Sequence, residues 1–184
     1  MKYLKLFENF EDIHKICKEY DIKNYTINTD GSIDVDGSVY LCNYEGLTKL
    51  PLKFNNVSGH FNCDHNNLTT LGGSPKSVGG DFYCNFNNLT SLEGSPKSVG
   101  GYFNCRYNKI LTFEGAPNNV GYFNCSDTPI FNIWYLFKDY SKVELLNDLD
   151  PIRGNDILMD RFNTFLSMIG KDEVVSVKGY NCIN

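Results

Sequence analysis

Cysteine is the residue best placed to do chemistry in this chain, through a metal, a disulfide or a nucleophilic thiolate. There are seven, and Cys42, Cys63, Cys84, Cys105 and Cys125 are separated by 21, 21, 21 and 20 residues. A structural metal site needs four ligands converging as a tetrahedron, often drawn from C-x-x-C pairs. This series is linear and has no such pair, so we expect no metal. An odd number at regular spacing also argues against a disulfide framework and for a repeated core residue, kept reduced. Cys17 and Cys182 lie outside the series and form no constellation.

The other reactive residue types are equally dispersed. His14, His60 and His65 stand at no recognisable catalytic spacing from a Ser, Cys or Asp. Gly79-Gly80 and Gly100-Gly101 lack the lysine and the strand-to-helix context of a phosphate loop. They read instead as tight-approach corners, given glycine's freedom at positive φ. Asp148, Asp150, Asp156 and Asp160 have no fixed partner and read as helix caps or solvated faces. Thr48, Thr69 and Thr90 recur at the same period, but Leu111 breaks the row, so an ice-binding array is not expected. We expect no enzyme and no cofactor.

What positions these residues is a repeat. Leu47, Leu68, Leu89, Ile110 and Ile130 follow the cysteine period, as do Leu50, Leu71, Leu92, Phe113 and Ile133. Gly73, Gly94 and Gly115 keep it too, each two residues before a proline: Pro75, Pro96 and Pro117. In the unit beginning at Val78, Phe82 and Cys84 alternate with Tyr83, the period of a strand with one buried face. Asn87 follows and can turn its amide onto the backbone of the bend. Leu89 and Leu92 point back inward, and Gly94 to Pro96 makes the far corner. About 20 residues leave room for one short strand and an extended or 3₁₀ return. The first repeat carries Glu45 at the asparagine position, and Val39-Tyr40-Leu41-Cys42 fits two inward registers. In the last, Thr128 replaces the asparagine and Pro129 breaks the pattern.

The F-x-C-x-x-N-x-L segment resembles the L-x-L-x-x-N-x-L strand and turn of leucine-rich repeats. The unit is similar to those of bacterial leucine-rich-repeat effectors. More closely, L-T-S-L-E-G-S-P-K-S-V-G-G resembles repeat proteins encoded by large tailed bacteriophages. The likeness spans residues 37–133. It implies an α+β chain built on a short leucine-rich-repeat-type solenoid, a parallel β-sheet of about five coils with a 20–21-residue repeat. It leaves function open, because one architecture serves many partners.

Residues 1–37 then form an N-terminal cap, 38–133 the array, and 134–184 a C-terminal helical cap. Leu6, Phe10, Ile13, Ile16, Cys17 and Tyr20 recur at helical spacing, most regularly between Asp12 and Glu19. Tyr25 to Ile27 and Ile33 to Val35 flank Asp30-Gly31, a hairpin signal. The spacing predicts helices over Ile130 to Tyr140 and over Ile152 to Ile169, ended by Gly170, and a last strand at Val174, Val175 and Val177.

Net charge is -5 and the cations are scattered, which excludes a phosphate-backbone footprint; no nucleic acid is expected as partner. No apolar run approaches the roughly 20 residues of a membrane span, and Lys5 and Glu8 interrupt the start of the chain. The expected compartment is the cytoplasm, that of the host if a phage encodes the chain. The outward strand positions vary between repeats and are rich in aromatics and Asn, the composition of binding hot spots. Tyr83, Phe86, Tyr102, Arg106, Tyr107, Tyr122 and His65 are the candidate partner-binding residues. Sheet propensity alone also favours aromatics on strands. The expected function is a non-enzymatic protein-binding module, in the phage setting a modulator of a host defence protein. Its rivals are a structural protein that assembles with copies of itself, and a sponge for a nucleotide held by Arg106 and the aromatics.

Overall fold

The structure, a computed structural model, describes residues 2–184, with side chains from Phe10 onward. Among these the chain is α+β, with four α-helices and two sheets. Helix α1 (Lys2–Glu19) leads into a hairpin of β1 (Tyr25–Ile27) and β2 (Ile33–Val35). The repeats supply β3 (Val39–Tyr40), β4 (Phe54–Val57), β5 (Phe61–Asn62), β6 (Ser77–Val78), β7 (Phe82–Tyr83), β8 (Ser98–Asn104) and β9 (Asn119–Asn124). The C-terminal part holds α2 (Phe131–Phe137), a 3₁₀ turn (Tyr140–Lys142), α3 (Val143–Leu149), β10 (Ile152–Arg153), β11 (Asp156–Leu158), α4 (Met159–Met168) and β12 (Asn181–Ile183). No described helix is long and apolar enough to cross a membrane.

The expected leucine-rich-repeat-type solenoid, a parallel sheet of about five coils, is overturned by this sheet. It is nine-stranded and mixed, in the order β1-β2-β4-β6-β8-β7-β5-β3 with β9 also on β8. The antiparallel hairpin is part of it, because β2 pairs in parallel with β4. Each middle repeat contributes two short strands instead of one. One row runs β2, β4, β6 and the other β3, β5, β7; both join on β8, whose two halves pair with β6 and β7, and continue to β9. Between the rows lie the glycine corners. There the next chain passes so close that a Cβ on Gly79 would collide with Ser58 O, and one on Gly100 with Gly79 O. Neither glycine has positive φ, so the expected close approach, and not handedness, selects glycine here. Positive φ occurs instead at Gly73, Gly94 and Gly115, the corners before the prolines.

The parallel pairs keep the sequence period. Phe61, Phe82 and Phe103 align at 21-residue steps, and Phe123 follows at 20 because two residues separate it from Val120 where three separate the valine and phenylalanine of the other repeats. The four rings stack at centroid distances of 5.5, 5.2 and 5.6 Å. Each buried phenylalanine contributes about 2–3 kcal/mol from apolar burial. Beside them Cys63, Cys84, Cys105 and Cys125 are buried, free thiols. The thiols of Cys63, Cys84 and Cys105 donate to the carbonyls of Tyr83, Asn104 and Asn124 at 3.3–3.4 Å. Burial pushes their pKa values up, that of Cys125 to about 12, so they are protonated packing groups.

The first repeat resolves into one register. Val39 pairs with Phe61 and Tyr40 with Asn62, so Val39 and Leu41 point inward while Tyr40 is outside. Cys42 therefore leaves the inward series, despite standing 21 residues before Cys63.

The C-terminal segment differs from its expected helices and strand. The apolar stretch from Ile152 begins as the hairpin β10-β11 around Gly154-Asn155, and helix starts only at Met159. Helix α3 was not expected. Val174 to Val177 is not a strand, because Asn163 takes both polar groups of Val174: its Nδ2 donates to Val174 O at 3.0 Å and its Oδ1 accepts from Val174 N–H at 2.9 Å. The last strand is β12, parallel to β11. Trp134, Phe137 and Tyr140 pack on Phe113 and Phe123 and so extend the phenylalanine stack. Hydrogen bonds from Tyr140 Oη to Pro117 O, Asn147 Nδ2 to Phe113 O and Tyr180 Oη to Leu111 O fix this segment to the last repeats.

Candidate functional site

A turn ending each short strand decides what the outward face presents. His65, Phe86 and Tyr107 stand there with left-handed backbone, at φ 50°, 52° and 51°. The following asparagine is thereby turned inward. Asn87 Nδ2 donates to Cys63 O and Cys84 O, and its Oδ1 accepts from Leu68 N–H. Asn66 and Asn108 repeat much of this scheme. In the last repeat Thr128 Oγ1 donates to Cys125 O instead.

Left-handed backbone costs a residue with a side chain about 1–2 kcal/mol, less for Asn, Asp or His. The outer positions of this column carry those cheaper residues, Asn43 at φ 60° and Asp127 at φ 57°. The middle ones carry rings. His65 and Phe86 stack at 4.4 Å, and Phe86 and Tyr107 at 4.3 Å. Each such pair contributes about 0.5–1.5 kcal/mol. Two pairs against the two residues that carry the full cost, Phe86 and Tyr107, come out near balance, and the rings remain exposed: Phe86 by 37 % and Tyr107 by 41 %. Stability alone therefore does not select rings over Asn at this turn.

Tyr83, Tyr102 and Tyr122 form a second group. Tyr102 and Tyr122 align in register and stack at 5.3 Å, and Tyr83 lies at 6.0 Å from Tyr102 in a tilted arrangement. Asp81 organises them. Its Oδ1 accepts from Tyr102 N–H at 2.7 Å and its Oδ2 from Tyr83 Oη at 2.9 Å. The Tyr102 N–H, then the Tyr83 hydroxyl, hold the Asp81 carboxyl below the usual carboxylate range, and burial together with Asp81 raises the Tyr83 phenol. His60 Nδ1 accepts from the Asp81 N–H at 2.9 Å, so it cannot also donate to the Asp81 carboxylate 3.3 Å away; that contact is not an ion pair. Asn104 and Asn124 accept from the N–H groups of Arg106 and Ser126, and Asn124 Nδ2 also donates to Tyr102 Oη at 2.5 Å.

Arg106 joins the first group. Its guanidinium carbon lies 4.7 Å from the Tyr107 ring centre and 5.7 Å from that of Phe86. Its Nε is buried without a partner, as is Asn85 Oδ1 in the preceding repeat.

The structure thus gathers the seven sequence candidates into two clusters, His65-Phe86-Arg106-Tyr107 and Tyr83-Tyr102-Tyr122. Sequence reasoning missed Asp81 as their organiser and Tyr40, which is 59 % exposed in the column of Tyr83. Tyr40 becomes visible once the first repeat is given 22 residues, by aligning Val35-Asp36-Gly37-Ser38-Val39 with Val57-Ser58-Gly59-His60-Phe61. Among the described residues no three His, Cys, Asp or Glu side chains converge on a metal position. No family model, no curated protein and no solved structure matches the chain.

Proposed function

We propose that the chain is a non-enzymatic protein-binding module that engages its partner with the two outward aromatic clusters. The observation that carries this reading is the trio His65, Phe86 and Tyr107. Phe86 and Tyr107 occupy a left-handed turn that Asn, Asp or His would fill at lower cost, and strain retained without a stability return is a mark of function. Rigid, half-exposed rings beside an arginine are also the residue types on which interfaces concentrate their binding energy. The resemblance of the repeat unit to phage-encoded proteins supports placing that partner among the defence proteins of an infected bacterium. Seven free cysteines, four of them stacked inside, fit a reducing cytoplasm.

The test is affinity capture from lysate of a bacterial host, comparing wild type with a Tyr83→Ala/Tyr102→Ala/Arg106→Ala variant. The captured protein should be lost with the variant while circular dichroism is unchanged. Capture unaffected by the three changes refutes the reading. A concentration-dependent rise in mass by light scattering, abolished by the same variant, would replace it with self-assembly.

A further inference from the structure

Resting on that reading, we infer that the partner places an aspartate or glutamate carboxylate on Arg106, within a segment that is otherwise aromatic or aliphatic. The chain has three arginines. Arg153 and Arg161 both pair with Asp150, at 3.2 and 3.5 Å. Arg106 pairs with no carboxylate among the described residues, and its guanidinium donates no hydrogen bond there. A guanidinium has five N–H donors in one plane. The contact of the guanidinium carbon with the Tyr107 ring leaves those donors without an oxygen or nitrogen partner. The Nε side of the edge is buried, which closes the side-on fork. The end formed by Nη1 and Nη2 remains, and a carboxylate fits it with two parallel N–H···O bonds.

The surroundings select a protein carboxylate over a polyanion. Arg106 is the one lysine or arginine among the outward positions 60, 62, 64, 81, 83, 85, 102, 104, 106, 122, 124 and 126 and the turn positions 65, 86 and 107. Asp64 and Asp81 share that face, and the whole chain carries -5. Nucleic acid needs many distributed cations and meets repulsion here. A single carboxylate flanked by apolar side chains meets one cation flanked by Phe86, Tyr107 and the tyrosine cluster.

The test selects short random peptides, displayed on particles, on the full-length chain. Each recovered peptide is then synthesised and titrated against wild type, Arg106→Gln, Arg106→Lys and Tyr83→Ala/Tyr122→Ala, with a single-stranded oligonucleotide in a parallel arm. The expected peptides share an Asp or Glu. Changing it to Asn or Gln should weaken wild-type binding about tenfold or more and cost nothing further on Arg106→Gln. The peptide change leaves the protein untouched, so the result stands even if Arg106→Gln folds poorly. Peptides that depend on Tyr83 and Tyr122 but ignore the acidic residue overturn the carboxylate assignment and leave the binding face in place. Peptides indifferent to both, no recovered peptide, or an oligonucleotide that outcompetes them all, overturn both.

Discussion

Phe86 and Tyr107 stack with their planes 17° apart while both hold left-handed backbone, so the ring stack and the strained turn are one feature. Replacing Phe86 by Asn relieves about 1 kcal/mol of backbone cost and removes two ring stacks, on His65 and on Tyr107, together about 1–3 kcal/mol. Phe86→Asn should therefore lower unfolding free energy by no more than about 2 kcal/mol, as read by urea denaturation, while binding to the captured partner falls by about tenfold or more. A large loss of stability would assign the ring to the fold instead.

Asn87 joins two repeats from inside. Asn87→Ala leaves Leu68 N–H without a partner in a dry setting, while Cys63 O and Cys84 O keep the amides of Asn66 and Asn108. The expected loss is about 1–3 kcal/mol, that of one orphaned buried donor. Chemical denaturation measures it; a loss below about 1 kcal/mol would mean that water replaces the amide.

Gly100 marks where successive chains nearly touch. Gly100→Ala should destabilise by about 2 kcal/mol or more, because its Cβ meets the carbonyl of Gly79 and backbone must move. Gly72→Ala, where the nearest atom is Thr70 Oγ1 at 3.5 Å, is the matched control and should be close to neutral.

Thiol reactivity should divide the cysteines by burial. Cys182 is exposed and Cys42 partly so, whereas Cys17, Cys63, Cys84, Cys105 and Cys125 are buried with pKa values pushed up by desolvation. A thiol-disulfide reagent should label Cys182 first and Cys42 more slowly in native protein, and the other five only on unfolding. Fast native labelling of Cys84 would place that sulfur outside the core.

Asp81 supplies the acid limb of stability. Its folded pKa is depressed by the Tyr102 N–H and the Tyr83 hydroxyl. Its contribution is present above the unfolded carboxyl value of about 3.9 and is lost as pH falls through the lower folded value. Melting temperature measured from pH 7 downward should fall less steeply for Asp81→Asn than for wild type. Parallel curves would show that Asp81 is not coupled to folding.

Much of this was legible in residue types. The Phe and Cys period marked the inward positions, and Asp30-Gly31 marked the β1-β2 turn. The sheet was harder to read, because pairing partners lie in other repeats. Nothing local announces that β2 continues the sheet, or that Gly79-Gly80 divides its repeat into two short strands while Gly100-Gly101 lies within one. One-residue differences in length also hid the register: Val35 to Val57 spans 22 residues and Phe103 to Phe123 spans 20, so a fixed step put Cys42 where Leu41 belongs. Gly154-Asn155 was a readable hairpin signal inside an apolar stretch that otherwise suited a helix. The binding face was legible as aromatics. Its division into two clusters, and the part of Asp81 in one of them, came only from register and hydrogen bonds.

Backbone amide shifts of the labelled chain, recorded before and after addition of the captured partner, test the binding surface most directly. The account predicts perturbations concentrated at His65, Tyr83, Phe86, Tyr102, Arg106, Tyr107 and Tyr122, with the inward Leu68, Leu89 and Ile110 unmoved. Perturbations confined to the C-terminal segment, around Asn147 and Asp148, with the aromatic clusters silent, would contradict it.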